Sequence, residues 1–424
     1  MNFDPAKRFR AFWASFWALP CLYVAASTAL FAAALHLDRG GLSARLSASD
    51  WPFSVSGDTA LETISTLTGV IVALLALFFS ITLIVLTMAS SNLGVRLIDR
   101  WVADKSIRVT LSLLLGLLVY AFLLQGAVDP AGPDDRLPRF SLILLIFALV
   151  PTILWLARAF DHLSRRIHVD TSIAELGKDV RRHLKRLAGL SIARAAPLDW
   201  ENATTIPSRD SGYVDGVQLR SMVNFAERHD LKIRLRRAQG DYVHEGDVLF
   251  DVIGYADGDR LRRCVDISDY RTDAAGGMFE AALLAEIAAR ALSPAVNDVY
   301  TALACIDRLG GGLADAFAEQ ASEGWFGRAE DGPRLFVPHL TPRGILTRPL
   351  DIIRQAAAPY PSASIRLLQM LERLIENADN PDDCEWLVRQ AKIVAEGAIS
   401  EAIVEADRKD IGDALRTAIA ARKA

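Results

Sequence analysis

Charged residues are missing from long stretches of this chain. The 424 residues include 47 Lys+Arg and 51 Asp+Glu, but only 24 of these charged residues lie within residues 1–165. Hydrophobic residues make up 51% of the whole. A soluble domain of this length rarely averages so apolar. The first 165 residues are therefore membrane-like in composition, and the remainder is typical of a globular protein.

Cysteines are also few, and the net charge is small. The four cysteines (Cys21, Cys264, Cys305 and Cys384) are far apart and form no C-x-x-C pair. This spacing excludes a structural zinc site and gives no sign of a disulfide framework. The net charge of −4 argues against a nucleic-acid partner, since nucleic-acid binders usually carry a clearly basic domain.

Four charge-free runs predict four transmembrane helices. They cover residues 11–37, 63–95, 109–128 and 140–157. A helix needs about 20 apolar residues to cross the hydrocarbon. Pro151 in the fourth run is tolerable if neighbouring groups satisfy the freed carbonyl. The first run exceeds the roughly 7–15 apolar residues of a signal peptide, so we interpret it as an uncleaved anchor.

Basic residues beside the spans indicate the orientation. They precede the first span, lie between the second and third, and follow the fourth: Lys7, Arg8, Arg10, Arg96, Arg100, Lys105, Arg108, Arg158, Arg165 and Arg166. Cytoplasmic loops carry such an excess of lysine and arginine. We therefore expect a bacterial inner (plasma) membrane protein with both termini in the cytoplasm.

The predicted fold class is a membrane α-helical domain of four transmembrane helices plus a cytosolic α+β domain. The predicted parts are the transmembrane domain (1–165), a basic juxtamembrane connector helix (166–200), a small β-rich module (201–266) and a mainly helical cytosolic module (267–424). In the connector, four basic residues could contact lipid head groups of the bilayer: Arg181, Arg182, Lys185 and Arg186. The alternative, a solvated basic helix, is compatible with this contact.

The β-rich module has the turn spacing of small barrel-sandwich domains that carry biotin or lipoate. GDYVHEGDVLF places two Gly-Asp turns before an apolar strand. Those domains need an acceptor lysine on a following hairpin. The only lysine from residue 187 to 391 is Lys232, so we reject a swinging-arm cofactor and expect none.

Three segments carry a family resemblance. FFSITLIVLTMASSNLGVRLIDRW, LLLGLLVYAFLL and IAARALSPAVNDVYTALACIDRL are similar to the bacterial predicted membrane proteins of domain of unknown function 2254. The most specific part is the motif of Ser293, Pro294, Asn297, Asp298, Thr301 and Ala302. Val299 and Val95 stand where that family usually has proline, which affects local loop geometry. The resemblance confers no activity.

Enzyme motifs are absent from the sequence: it contains no G-x-x-x-x-G-K-[ST], no G-x-S-x-G and no H-E-x-x-H. We therefore expect no enzymatic activity and no metal. The polar residues best placed to form a functional site are Asn297 and Asp298, with Arg290 and Asp307 nearby in sequence. Its functional interpretation is an acid site or an ion ligand at a subunit interface. Its structural interpretation, which we favour, is a helix junction whose side chains satisfy backbone groups.

The second span carries a stripe of small and hydroxyl residues at helical spacing: Thr66, Gly69, Ala73, Ser80, Thr87 and Ser91. Such a stripe allows helices to approach closely, or it lines a narrow wet path when several copies surround an axis. Asp58 and Glu62 continue the stripe at the outer end and would form an acidic mouth. No span has an ionisable residue at mid-membrane, which counts against a proton-coupled transporter.

Four helices cannot enclose a path by themselves. The leading prediction is therefore a non-enzymatic, channel-like homo-oligomer that passes a small ion and whose cytosolic domain gates or assembles it. The alternative is a membrane-anchored regulatory or scaffolding protein whose spans only tether and oligomerise. A membrane-associated enzyme built around Asn297 and Asp298 is the third possibility.

Overall fold

The computed structural model describes residues 16–43, 57–93, 104–129, 137–166, 169–188, 199–269, 277–318, 324–328 and 332–422. The chain divides into two compact units, residues 1–168 and 169–424. The N-terminal unit consists of apolar helices in its described part, whereas the C-terminal unit combines helices and sheets. The predicted fold class, four membrane-spanning helices followed by a helix-plus-sheet domain, is confirmed.

Within the described residues, four helices are long and apolar enough to cross a membrane. They are α1 (Ala18–Leu37), α2 (Gly57–Leu93), α3 (Lys105–Ala127) and α4 (Arg139–Arg166). They coincide with the charge-free runs, because a chain in hydrocarbon must satisfy its backbone polar groups internally and a helix does so. Pro151 lies inside α4 without ending it.

The α3 helix contacts the other three helices of the N-terminal unit. Its Gly116 allows α1 to approach closely: a Cβ there would lie 3.4 Å from the Tyr23 carbonyl oxygen. The Ser27 hydroxyl donates a hydrogen bond of 2.5 Å to the Gly116 carbonyl. Small residues and hydroxyl bonds of this kind hold helices together in lipid, where apolar burial gives no net drive.

A buried carboxylate fixes the start of α4. A π-helical turn, Asp38–Leu42, follows α1. The Asp38 carboxylate accepts hydrogen bonds from the backbone N–H groups of Phe140 and Ser141, both at 3.0 Å, and from the Ser141 hydroxyl at 2.7 Å. A carboxylate at a helix N-terminus satisfies unpaired donors and complements the helix dipole.

The C-terminal unit begins with α5 (Val169–Ala188). A β-rich region follows: β1 (Thr204–Pro207), β2 (Gly212–Val217), α6 (Leu219–Arg228), β3 (Lys232–Leu235), β4 (Tyr242–Val243), β5 (Val248–Ile253), α7 (Gly258–Arg262) and β6 (Val265–Ser268). Two more strands come later in the chain, β7 (Trp325–Arg328) and β8 (Gly332–Phe336). One apolar core of buried side chains, including Met222, Ile233, Phe250 and Leu335, serves the strands and α6.

The strands form two sheets. A five-stranded mixed sheet has the order β1-β5-β3-β8-β7, and a three-stranded antiparallel sheet has the order β4-β2-β6. β3 pairs antiparallel with β5 and parallel with β8, where Ile233 lies opposite Leu335. The larger sheet therefore takes strands from both predicted modules, 201–266 and 267–424. The boundary expected at residue 266 lies within one structural unit, because the later hairpin completes the sheet.

The remaining helices are α8 (Gly277–Ala291), α9 (Val299–Ala318), α10 (Pro342–Ala357), α11 (Pro361–Asn377), α12 (Pro381–Glu401) and α13 (Glu405–Ala420). Three of them have proline in the first turn, where its missing N–H has no helical role. The α5 helix packs on α8 and α9 through buried Ile173, Leu176 and Val180. The segment predicted as a connector is thus in part a packed element of the C-terminal unit.

Candidate functional site

The α2 helix has two different faces. One face is buried in the N-terminal unit: Ala60, Ile64, Thr68, Ile71, Phe78, Thr82 and Val85. At 3.6 residues per turn, the stripe predicted from the sequence lies about 180° from this packed face. Its members Thr66, Gly69, Ala73, Ser80 and Thr87 are all exposed. The side chain of Ser91 lies outside the described residues. The stripe therefore points away from the other spans of its own chain.

The chemistry of the stripe is that of hydrogen-bond acceptors. The Thr66 hydroxyl donates to the Glu62 carbonyl at 2.9 Å, and the Thr87 hydroxyl donates to the Leu83 carbonyl at 2.8 Å. Each hydroxyl has one hydrogen to donate, so only its oxygen lone pairs remain available. Asp58 and Glu62 are exposed near the start of the same face. The face offers oxygen atoms and negative charge, and no basic side chain lies between Asp58 and Met88.

Gly69 meets no steric constraint from the described part of its own chain. A Cβ at this position would meet no atom within 4 Å. Glycine in a helix interior costs about 1 kcal/mol relative to alanine. Neighbouring exposed positions on α2 carry large side chains, such as Val72 and Phe79. No contact among the described residues requires a glycine at position 69.

The junction between α8 and α9 carries the family motif. Asn297 adopts a left-handed backbone conformation (φ 49°), which asparagine tolerates better than most residues. The Asp298 carboxylate accepts from the Thr301 backbone N–H at 3.1 Å and from its hydroxyl at 2.6 Å. The Ser293 hydroxyl donates to the Arg290 carbonyl at 2.7 Å. These are the bonds of a capped helix start, with Asp298 at the cap of α9.

The other groups expected near this junction are engaged elsewhere. The Arg290 side chain pairs with Glu286 at 3.7 Å, and Asp307 pairs with Arg366 of α11 at 3.6 Å. Pro294 and Asn297 are exposed, as is Tyr300, whose exposed fraction is 86%, whereas Ala302 is buried. Among the described residues, no group of three His, Cys, Asp or Glu side chains is placed to hold a metal ion. The motif thus forms a largely exposed turn in which the side chains of Ser293, Asp298 and Thr301 are hydrogen-bonded.

The four basic residues of α5 that were predicted to contact lipid head groups divide into two pairs. Arg181 donates to Asp315 of α9 at 2.5 Å, and Lys185 lies 3.7 Å from the same carboxylate. Arg182 pairs with Asp179 within α5, and Arg186 is exposed. The first pair is tied to α9. The second pair, Arg182 and Arg186, takes no part in this ion-pair link to α9.

One more basic feature of α5 escaped the sequence analysis. His183 packs against α8, where a Cβ on Gly277 would lie 3.0 Å from the imidazole Cδ2. Burial lowers the pKa of His183 to about 4, and the neighbouring Arg186 charge acts in the same direction. Its Nε2 atom is buried without a hydrogen-bond partner within the described chain. The imidazole is therefore neutral at physiological pH. Its burial was not predictable, because helical spacing does not reveal contacts with α8.

Two cavities were also missed. A mostly apolar cavity of about 490 Å³ lies between α1, α3 and α4, beside Tyr23, Gly116, Pro151 and Trp155. A polar cleft of about 300 Å³ lies between α9 and α11 and includes Gly311. The sequence features that could have indicated these cavities are the proline and glycine residues beside them. Whether such a residue lines a cavity depends on which helices pack together, and local spacing does not specify the packing.

The comparisons with known proteins agree with the resemblance carried by the second span and the Asn-Asp motif. A family model described as "Predicted membrane protein (DUF2254)" matches residues 13–373. The chain belongs to this family.

Relatives of this DUF2254 protein come from mycobacteria. The uncharacterized protein MT1328 of Mycobacterium tuberculosis (strain CDC 1551 / Oshkosh) is 25% identical over 356 residues, which are 79% of this chain and 67% of that protein. The uncharacterized proteins Rv1290c of Mycobacterium tuberculosis (strain ATCC 25618 / H37Rv) and Mb1321c of Mycobacterium bovis are 24% identical over the same shares. No solved structure matches the chain.

Proposed function

We propose that this protein is a non-enzymatic, channel-like homo-oligomer in which the stripe face of α2 surrounds a narrow path for small cations. One observation carries the proposal: the small and hydroxyl residues of α2 lie opposite its packed face and are exposed. Lipid tails accept large apolar side chains as readily as small ones, so a single protomer surrounded by lipid gains nothing from small residues on this face. Four spans cannot enclose a path, and several copies of α2 around an axis can.

A cation is the favoured permeant species because of the stripe chemistry. The Thr66 and Thr87 hydroxyls keep only acceptor lone pairs, since each donates its hydrogen to its own helix. Asp58 and Glu62 add negative charge at one end of the face. Acidic rings at the mouth of a pore favour cations over anions.

The C-terminal unit then lies in the cytoplasm, as the lysine and arginine bias beside the spans predicts for an inner-membrane protein. There it gates or assembles the oligomer. Arg182 and Arg186, which are not tied to α9, are the residues of α5 that we assign to lipid head groups.

The alternative is a scaffolding or regulatory membrane anchor that oligomerises through the same face. Gly69 favours it, because a glycine that meets nothing within its own chain is what close approach of two helices requires. The two functions place the same residues in different surroundings. In a channel the stripe faces water, whereas in an anchor it faces another helix.

Ser80→Leu distinguishes the two functions. In a channel the substitution should abolish cation flux into reconstituted vesicles and leave the oligomer intact, because only the path is filled. In an anchor it should shift the oligomer toward smaller species on native mass spectrometry, because bulk separates the helices. Val72→Leu, on an exposed flank of α2, is the matched control and should change neither quantity. An unmutated protein that passes no cation at any voltage or ionic condition would refute the channel.

A further inference from the structure

Arg139 is a buried arginine that forms no side-chain hydrogen bond or ion pair with the described residues. It is the first residue of α4, and only 7% of it is exposed. Its Nε and Nη1 atoms are buried and have no hydrogen-bond partner within the described part of the chain. A buried guanidinium is normally paired, because removing a charge from water costs several kcal/mol. The positive end of the α4 dipole adds to this cost.

No ion pair joins Arg139 to a carboxylate among the described residues. Asp38 accepts its hydrogen bonds from Phe140 and Ser141, and no ion pair joins it to Arg139 among the described residues. The Ser43 hydroxyl accepts from the Arg139 backbone N–H at 3.3 Å and donates to the Leu137 carbonyl. These bonds fix the backbone of Arg139 and do not involve its side chain.

The surface beside Arg139 indicates what kind of anion fits. Phe147, Val150 and Leu154 follow on the same side of α4 at helical spacing, and 63%, 56% and 67% of these side chains are exposed. The span begins at Arg139, so its guanidinium lies where the hydrocarbon ends. An anionic head group followed by an apolar chain matches this order of surfaces.

We propose that Arg139 binds the phosphate of a phospholipid whose acyl chain lies along Phe147, Val150 and Leu154. A guanidinium is the side chain best suited to hold a phosphate, because it forms charge-assisted hydrogen bonds with phosphate oxygens. The lipid supplies a counter-ion that the described part of the chain does not provide, and it covers the exposed apolar strip. This site lies on α4 and is independent of the α2 face, so it does not depend on the channel proposal.

The test uses the full-length protein, purified in detergent and stripped of lipid. Phosphatidylglycerol is added back in one arm, diacylglycerol with the same chains in a second, and inorganic phosphate in a third. The unfolding temperature of the unmutated protein should rise only with the phospholipid. Arg139→Gln should lose this rise, and native mass spectrometry should find one phospholipid fewer per chain. Arg39→Gln removes an exposed arginine from the turn after α1 and should behave as the unmutated protein.

The lipid-free variant also separates binding from a structural role. Arg139→Gln removes an uncompensated charge, so without lipid it should unfold at the same temperature as the unmutated protein or higher. An equal loss of stability with and without lipid would show that Arg139 is structural and overturn the proposal. An equal rise with diacylglycerol or with inorganic phosphate would overturn it as well, since the phosphate and chain would not act together.

Discussion

Removal of the Asp298 carboxylate tests the role of the family motif most directly. Asp298→Ala deletes the acceptor for the Thr301 backbone N–H, 3.1 Å away, and for its hydroxyl, 2.6 Å away. Loss of an N-cap costs about 0.5–2 kcal/mol. The junction is exposed, so water can replace part of the lost bonding, and we expect about 1 kcal/mol. In a unit of this size that lowers the unfolding temperature by about 2–4 °C.

Asp298→Asn is the matched variant, because asparagine caps a helix about as well as aspartate but carries no charge. Thermal unfolding of the purified full-length protein, followed by tryptophan fluorescence, should place it within about 1 °C of the unmutated protein. Its cation flux should also be unchanged if Asp298 is only a cap. A stable, abundant Asp298→Asn protein without flux would refute this reasoning and assign the carboxylate charge a functional role.

Three further predictions concern the C-terminal unit. Gly311→Ala should stabilise the protein by about 1 kcal/mol, because a Cβ there meets nothing within 4 Å. Gly312→Ala should destabilise it, since its Cβ would lie 3.0 Å from the Gly177 carbonyl oxygen. Thermal unfolding should show a higher unfolding temperature for the first variant and a lower one for the second. Because the pKa of His183 is lowered to about 4, its neutral form stabilises the fold above about pH 6.5. This contribution is lost as the pH falls from about 6.5 toward 4. His183→Leu should therefore flatten the dependence of the unfolding temperature on pH between these two values. A C-terminal reporter active only outside the cytoplasm should give no signal, and a strong signal would reverse the proposed orientation.

Much of the architecture follows from local patterns. The four spans are continuous charge-free runs, and hydrocarbon leaves such runs no alternative to a helix. The start of α9 was predictable for the same reason, because Asp298 satisfies a backbone donor three residues away. The stripe on α2 also follows from helical spacing alone. In each case the residues that decide the structure lie within one or two helical turns of one another.

Features that depend on distant residues were not predictable. The parallel pairing of β3 with β8 joins Ile233 to Leu335. The buried state of Arg139 depends on the turn after α1, far away in sequence. The direction in which the α2 stripe points depends on the packing of α3 and α4 against the other face. Sequence periodicity identifies a face of a helix, but it does not specify which neighbour covers that face.

The parallel pairing also constrains how the protein is made. β8 leaves the ribosome about 100 residues after β3. Until then, the edge of β3 that will pair with β8 presents unpaired N–H and C=O groups. At roughly 5–20 residues per second, this open edge persists for several seconds. An open edge can recruit the same strand of a neighbouring nascent chain. Synonymous codons that slow translation between residues 253 and 332 should therefore increase aggregation during synthesis, although the mature sequence is unchanged.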